Sequence, residues 1–301
     1  MKTVAITGAS GFIGCRIARA ALAAGWRVRA LARSPERLPP EFGALRWDME
    51  KLAAPAPLDG IDAIIHGAAY RPDNLDDPSQ AEACMRINAG GTLALLTEAQ
   101  AAGVRHFVYL SAGNAYNTTQ SPIPETAQLF PANRATYYLA SKLMGEIYVS
   151  HWDRAGKIPG CILRISSVYG PGMDERGLIA AMARKLAAGQ TVLLRNGGSF
   201  SADMVYVDDV AHAAAVALDM SARGALNVGS GNASSAHEIA SLLAEITGAE
   251  PGLIRTEPQS FEEPRFGALD ITRARQMLGY APTALREGLA RTWNSLQEKP
   301  R

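Results

Sequence analysis

Thr7-Gly8-Ala9-Ser10-Gly11-Phe12-Ile13-Gly14 stands between a short apolar run, residues 2–7, and an Ala-rich stretch of helical character, residues 12–25. Its glycines recur every third residue. Glycine at the first position permits a tight turn. At the second it lets the backbone approach a pyrophosphate, and at the third it lets the helix pack closely on the strand, with the helix N-terminus facing the anion. Glycines mark turns everywhere, so the triplet alone says little. A strand directly before it and a helix directly after it are the context that makes it a dinucleotide-binding motif. The cofactor contacts expected from this segment are Gly8, Ser10, Gly11, Phe12, Ile13 and Gly14.

Outward from the turn, strand-like and helix-like segments alternate. Residues 27–31, 63–66, 105–110 and 160–165 read as strands; residues 80–102 and 134–155 read as helices closed by Gly103 and Gly156. Strands separated by helical lengths imply βαβ units and a parallel sheet, and right-handed crossovers place helices on both of its faces. The expected fold is α/β, a Rossmann-type doubly wound parallel sheet formed by residues 1–169. Past Tyr169 the rhythm loosens at Gly170-Pro171-Gly172. Helical runs at 178–188, 210–219, 236–247 and 283–297 then alternate with short β pieces. Residues 170–301 are expected to form mainly a smaller substrate-binding lobe, with some segments returning to the Rossmann domain.

The end of the second strand bears on the choice of dinucleotide. A carboxylate there binds the adenosine ribose, whereas an arginine accepts a 2′-phosphate. The sequence reads Val28-Arg29-Ala30-Leu31-Ala32-Arg33-Ser34, with no acid and with Arg33 following the strand. NADP is therefore expected in preference to NAD, against the alternative that Arg33 is a solvated surface residue. Arg37 is a possible helper. Asp48, after Leu45-Arg46-Trp47, is a candidate acceptor for the adenine amino group or else an ordinary loop residue.

Tyr138-Leu139-Ala140-Ser141-Lys142 lies within a helical run, and residues four apart share a helix face. A free phenol titrates near pH ~10 and is a poor base at neutrality. A neighbouring ammonium and an oxidised nicotinamide both favour the phenolate. The pair is then able to exchange a proton with a substrate hydroxyl while a hydride moves to or from the cofactor. By itself such a pair is usually superficial. Its weight comes from following the dinucleotide turn and several βα units.

Composition removes other classes. With 48% hydrophobic residues the 301-residue chain can build a full core, and 30 Lys+Arg against 29 Asp+Glu leave no basic surplus for nucleic acid or an anionic membrane. No apolar stretch is long enough to span a bilayer, and Met1-Lys2 leads into no signal-peptide pattern. Cys15, Cys84 and Cys161 are far apart and odd in number, which argues against a disulfide framework or a zinc site. A reducing, cytoplasmic setting is expected. His66 and His106 lie on strand-like runs and read as packing residues.

Together these motifs resemble the extended branch of the short-chain dehydrogenase/reductase superfamily, the NAD-dependent epimerase/dehydratase family, over nearly the whole chain. The resemblance rests on TGASGFIG at 7–14, His66-Gly67-Ala68-Ala69, Asn88 in RINAGGT, and Tyr138 with Lys142. Arg164–Pro171 (RISSVYGP), Val205-Tyr206-Val207-Asp208-Asp209, Asn227-Val228-Gly229-Ser230-Gly231, and DITRAR at 270–275 with Leu278-Gly279-Tyr280 carry it into the second half. It implies that Ala68, Ala69 and Asn88 lie beside the cofactor, that Tyr138 and Lys142 are catalytic and also contact the cofactor, with Lys142 holding the nicotinamide ribose, and that long helices at 80–102 and 134–155 pair in a homodimer. The family's third catalytic group is a Ser or Thr four residues before a Tyr. Four before Tyr116 is Ala112, so Ser111 takes the role if the loop shifts by one residue, with Asn114 or no donor as the alternatives. Nucleotide-sugar members usually carry an Arg where this chain has Ala202, which weakens that substrate class here; Arg265 and Arg176 are possible substitutes. The resulting expectation is an NAD(P)-dependent oxidoreductase acting on a secondary alcohol or carbonyl of a small molecule. The alternatives are a sugar or nucleotide-sugar epimerase or dehydratase with transient oxidation, and an NADP-sensing regulatory protein on the same fold.

Overall fold

The computed structural model describes residues 1–51, 55–74, 77–117, 120–130, 136–260 and 266–298. Thr3-Val4-Ala5-Ile6-Thr7 forms β1 (Thr3–Thr7), buried along its whole length as a central parallel strand must be. It is followed by α1 (Phe12–Ala23), β2 (Arg27–Ala32), β3 (Leu45–Arg46) and β4 (Ala63–His66). Next come α2 (Ala81–Ala83), a π-helical stretch (Cys84–Gly90), α3 (Gly91–Ala101), β5 (His106–Ala112), α4 (Tyr137–Arg154) and β6 (Gly160–Ile165). The main sheet has seven strands in the order β3-β2-β1-β4-β5-β6, completed at the far edge by β10 (Gly224–Val228), and every neighbouring pair is parallel. The chain runs outward from β1 to β3 and restarts at β4 on the other side of β1. The crevice between the C-terminal ends of β1 and β4 is thus the topological switch point, where open α/β sheets bind ligands.

Both sheet faces are covered. One core gathers Ile6, Val28, Val108 and Leu163 of the strands with Ile17 and Ala21 of α1; the other gathers Ile64, Phe107 and Tyr109 with Leu95 and Leu96 of α3 and Val149 of α4. The second half of the chain adds β7 (Ser167–Tyr169), α5 (Leu178–Ala187), β8 (Val192–Leu194), β9 (Ser201–Tyr206) and α6 (Val207–Asp219). After β10 come β11 (Ala233–Ser235), α7 (Ala236–Thr247), β12 (Ile254–Thr256), α8 (Thr272–Leu278) and α9 (Leu285–Glu298). Of these, β10 joins the main sheet, and α6 and α8 send Val210, Ala214 and Ala274 into the core beneath α1. The β7-β9-β11 sheet instead packs with α5, α7 and α9 around a core of its own, including Ile179, Leu186, Tyr206 and Leu243.

The stretch read as one helix over 80–102 is divided. Asp77 caps a single 3₁₀ turn (Pro78–Gln80) through a 2.9 Å bond from the Ser79 amide, and the winding over Cys84–Gly90 is the wider π type. Such bulges collect at functional sites because they re-aim a side chain, and this one carries Asn88. The helix read at 210–219 begins at Val207, with Asp208 and Asp209 in its first turn where the helix dipole favours them. Residues 134 and 135 of the helix read at 134–155 lie outside the described residues. Among the described residues no helix is long and apolar enough to cross a membrane.

Candidate active site

The three glycines of the turn meet different constraints. Gly8 has a φ of 77°, and a Cβ there would lie 2.8 Å from the Ala68 amide nitrogen at the end of β4. A Cβ on Gly14 would lie 2.1 Å from the Gly8 carbonyl oxygen. Gly11, by contrast, is exposed; a Cβ on it would approach only the Gly8 oxygen, at 3.3 Å. So Gly8 and Gly14 close the turn on the protein itself, and Gly11 presents its open side outward. α1 starts at Phe12 with no side-chain cap and no acid in its first turn. The amides of Phe12, Ile13 and Gly14 therefore keep the unpaired, partially positive character of a helix start, as an anionic pyrophosphate requires. Ser10 is exposed beside them.

Arg33 follows β2 and is largely exposed. It pairs with Glu50 at 3.0 Å, an acid that sequence reasoning passed over because it lies on a different loop. Arg46 of β3 donates to the Arg33 backbone carbonyl at 2.7 Å and pairs with Glu36 at 3.1 Å, so this edge of the sheet carries two arginines, each paired with an acid. The Asp48 carboxylate accepts from the Glu50 amide at 3.0 Å and so helps close its own turn. Arg37 is exposed.

A buried chain of hydrogen bonds connects the turn to α4. The Ala68 amide donates to the Thr7 hydroxyl at 3.1 Å, and Thr7 lies 2.7 Å from His66 Nδ1. His66 Nε2 lies 3.0 Å from the Thr92 hydroxyl, which itself donates to the Asn88 carbonyl at 2.6 Å. With that hydroxyl proton engaged, the proton of the neutral imidazole belongs on Nε2, and Thr7 donates to Nδ1. The Asn88 side chain accepts from the Tyr70 amide at 2.6 Å and donates to the Tyr70 carbonyl at 2.9 Å and to Ser141 at 2.9 Å. Ser141 in turn donates to the Tyr138 carbonyl at 2.7 Å. Burial, with the Lys142 charge second, holds His66 down to about 3, so the relay contains a neutral ring.

Thr136 caps α4 by accepting from the Leu139 amide at 3.1 Å, which sets the first turn that carries Tyr138. Lys142 is buried, and its Nζ lies 4.1 Å from the centroid of the Tyr109 ring. Burial pulls its ammonium down to about 7, partly offset by Glu146 one turn further on. Glu146 is held by Arg164 of β6 at 2.8 Å, and Arg164 also donates to the Tyr116 hydroxyl at 2.9 Å. The Tyr138 phenol is raised above its ordinary value, chiefly by desolvation; the cation opposing that rise is Arg71, just after the clamped Tyr70. The sequence reading assigned the lowering to Lys142 and a nicotinamide and did not include Arg71. Arg71 sits in an unpatterned loop, so no signal pointed to it.

Ser111 is buried on the same alternating face of β5 as Tyr109, and among the described residues its hydroxyl has no hydrogen-bond partner. Ala112 ends β5, and Asn114 is exposed on the turn that follows. Ala69 is exposed and Ala68 half-buried after β4. Ala202 is wholly buried in β9, and its neighbour Asp203 accepts from the amides of Ser230 at 2.6 Å, Gly231 at 3.2 Å and Leu269 at 3.0 Å. Arg176 is exposed and paired with Asp174 at 2.8 Å. Arg265 lies outside the described residues.

The NAD dependent epimerase/dehydratase family matches residues 4–229 of the chain. A UDP-glucose 4-epimerase of Mycolicibacterium smegmatis is 32% identical over 328 residues, spanning 99% of this chain and 99% of its own. The dTDP-6-deoxy-L-talose 4-dehydrogenase (NAD(P)(+)) of Kitasatospora kifunensis is 30% identical over 313 residues, spanning 99% of this chain and 96% of its own. A solved structure of dTDP-glucose 4,6-dehydratase from Streptomyces venezuelae, with NAD and TYD bound, superposes with a TM-score of 0.82 at 26% identity, covering 99% of this chain and 97% of that one.

Proposed function

From the premise that the chain belongs to the NAD dependent epimerase/dehydratase family and is an NAD(P)-dependent enzyme, we propose that Tyr138 and Lys142 serve hydride exchange at a secondary hydroxyl or carbonyl carbon of a sugar-type small molecule. The observation that carries this reading is the buried relay Thr7–His66–Thr92–Asn88–Ser141–Tyr138, which ties the cofactor turn to the helix bearing the acid–base pair. The turn 7–14, Ala68, Ala69 and Asn88 border the cofactor. When bound, the dinucleotide supplies the hydride acceptor or donor. The protein's part is to hold and move a proton: Tyr138 Oη takes it from the substrate hydroxyl or returns it to the carbonyl oxygen, and the Lys142 ammonium stabilises the phenolate and would also hold the nicotinamide ribose. Ser111, whose hydroxyl is free to donate, orients the substrate oxygen. Residues beyond Tyr169, apart from those that return to the main sheet, form the substrate lobe.

NADP is preferred over NAD in this reading, with Arg33, supported by Arg46, placed to meet a 2′-phosphate. A homodimer forms through the outer faces of α3 and α4. Location in the cytoplasm follows from the same soluble-enzyme reading. A second reading is a sugar epimerase, favoured by the full-length similarity to a UDP-glucose 4-epimerase. The two differ in cofactor use, since a net oxidoreductase consumes free cofactor and an epimerase does not. The test is a panel of nucleotide sugars, free sugars, alcohols and ketones followed by NAD(P)H absorbance and by product chromatography. Tyr138→Phe should lower turnover by roughly two or more orders of magnitude with cofactor affinity retained. Parental turnover in that variant would end the proposal.

A further inference from the structure

We propose that Tyr109 is a positioning residue for the reaction, the face of its ring holding the Lys142 ammonium charged and directed into the site. The inference rests on the reading of Lys142 as the partner of Tyr138. Its geometry is set by buried residues. Tyr109 is fully buried in β5, the Lys142 Nζ stands 4.1 Å over its ring centroid, and its hydroxyl donates to the Lys142 carbonyl at 3.3 Å. One aromatic side chain therefore fixes both ends of the lysine. Among the described residues no hydrogen bond or ion pair is recorded for the ammonium, and the acid one turn along α4, Glu146, is taken by Arg164 through contacts of 2.8–3.2 Å. The negative face of the ring is the group left to hold the charge.

The same contact explains a glycine in the middle of α4. A Cβ on Gly145 would stand 2.3 Å from the Tyr109 hydroxyl oxygen, so this residue, otherwise unfavourable inside a helix, leaves the room the ring occupies. The groups facing Lys142 are Tyr109 from β5, a neutral His66 from β4 and Glu146 from α4 itself; Arg164 of β6 stands behind Glu146, while Tyr138, one turn earlier on α4, is acted on by Arg71 from the loop after β4. Lysine titrates near neutral pH in this setting, with His66 held low and the phenols held high, so the strength of the ring contact decides how much of Lys142 is charged at working pH. A desolvated cation–π contact corresponds to about one and a half pH units.

The test follows the Lys142 side chain by NMR with ε-carbon-labelled lysine, assigned by its loss in Lys142→Met, in the full chain with and without NAD. Tyr109 is replaced by Phe and then by phenylalanines of increasing ring fluorination, which keep the volume and progressively remove the negative face. The Lys142 pKa should remain near the parent's in Tyr109→Phe and fall stepwise with fluorination, by about one and a half pH units over the series. NAD affinity should fall in parallel at pH 8 and be largely retained at pH 5, below the Lys142 pKa throughout the series. A pKa that stays put across a folded series overturns the role of the ring. Undiminished NAD affinity in Lys142→Met would instead remove the reading of Lys142 on which the inference stands.

Discussion

Gly11 and Gly14 belong to one turn but answer to different neighbours. Gly14→Ala would drive a methyl into the Gly8 carbonyl, 2.1 Å away, and should lower folded yield and unfolding free energy. Gly11→Val meets only the Gly8 carbonyl oxygen, 3.3 Å from its Cβ, a contact that a shift of a few tenths of an ångström relieves, so it should fold and lose most affinity for both NAD and NADP; calorimetric titration beside a thermal melt separates the two effects. At the end of β2, Arg33 is already paired with Glu50. Arg33→Ala should reduce the ratio of NADP to NAD affinity, and Glu50→Gln should raise it by releasing the guanidinium; an unchanged ratio in both would refute the preference. His66 makes a pH prediction. Its imidazole titrates at about 3 in the fold and near 6.5 when unfolded. Between those values the unfolded chain binds one more proton. The stability His66 contributes is thus complete above the unfolded value and is lost as pH falls toward the folded one, by up to about 1.4 kcal/mol per pH unit. Urea unfolding between roughly pH 4 and 7 should show a parent slope steeper by nearly one proton than that of His66→Gln.

At the level of elements, α4 does two things with two faces. Its inner face presents Lys142, Gly145 and Glu146 to β5 and β6, while its outer face carries Tyr137 and Ile147, 42% and 57% exposed. Apolar side chains left outward on a helix mark an interaction surface more often than chance exposure does when they share one stripe. Under the dimer proposal, Ile147→Glu should turn a dimer into a monomer by light scattering without changing the melting temperature much at high dilution. A parent that is monomeric at every concentration would dispose of the proposal. The π-wound stretch before α3 is a second case of an element serving a side chain. It places Asn88 so that one amide bridges Tyr70 and Ser141, and a regular helix there would rotate Asn88 away from one of them.

Across the whole molecule, the second half of the chain is held to the first by the buried Asn227 of β10, which accepts from the Tyr116 hydroxyl at 2.6 Å and donates to the Ile123 carbonyl at 2.9 Å, and is tied together within itself by a buried carboxylate. Asp203 of β9, almost wholly buried, gathers the amides of Ser230, Gly231 and Leu269, thereby tying the loop after β10 and the approach to α8 to the lobe sheet. Asn at this position would point an N–H₂ at backbone donors. Asp203→Asn is therefore expected to cost about 2–4 kcal/mol of unfolding free energy, read by urea denaturation. Arg16 of α1 reaches the Pro171 carbonyl at 3.0 Å and Asp208 at 3.3 Å, which fastens the cofactor helix to the start of the lobe and to α6.

The parallel sheet, the glycine turn between β1 and α1 and the placing of Tyr138 and Lys142 one turn apart on a helix were legible in the chain because each is a local pattern. Strand periodicity, glycine spacing and residues four apart on a helix all act over a few neighbours. The family's missing hydroxyl at Ala112 and the missing arginine at Ala202 were legible in the same way, by position alone. What the sequence could not carry was contact between residues remote in the chain: Tyr109 under Lys142, Glu50 beside Arg33, Asn88 bridging Tyr70 to Ser141, and Arg71 acting on Tyr138. Nor could it place β10 beside β6, or show that Ser111 is buried and that its hydroxyl has no partner among the described residues. Those outcomes depend on which surfaces the packed sheet and helices bring together and strip of water, and burial and electrostatics are properties of that three-dimensional neighbourhood rather than of local order along the chain.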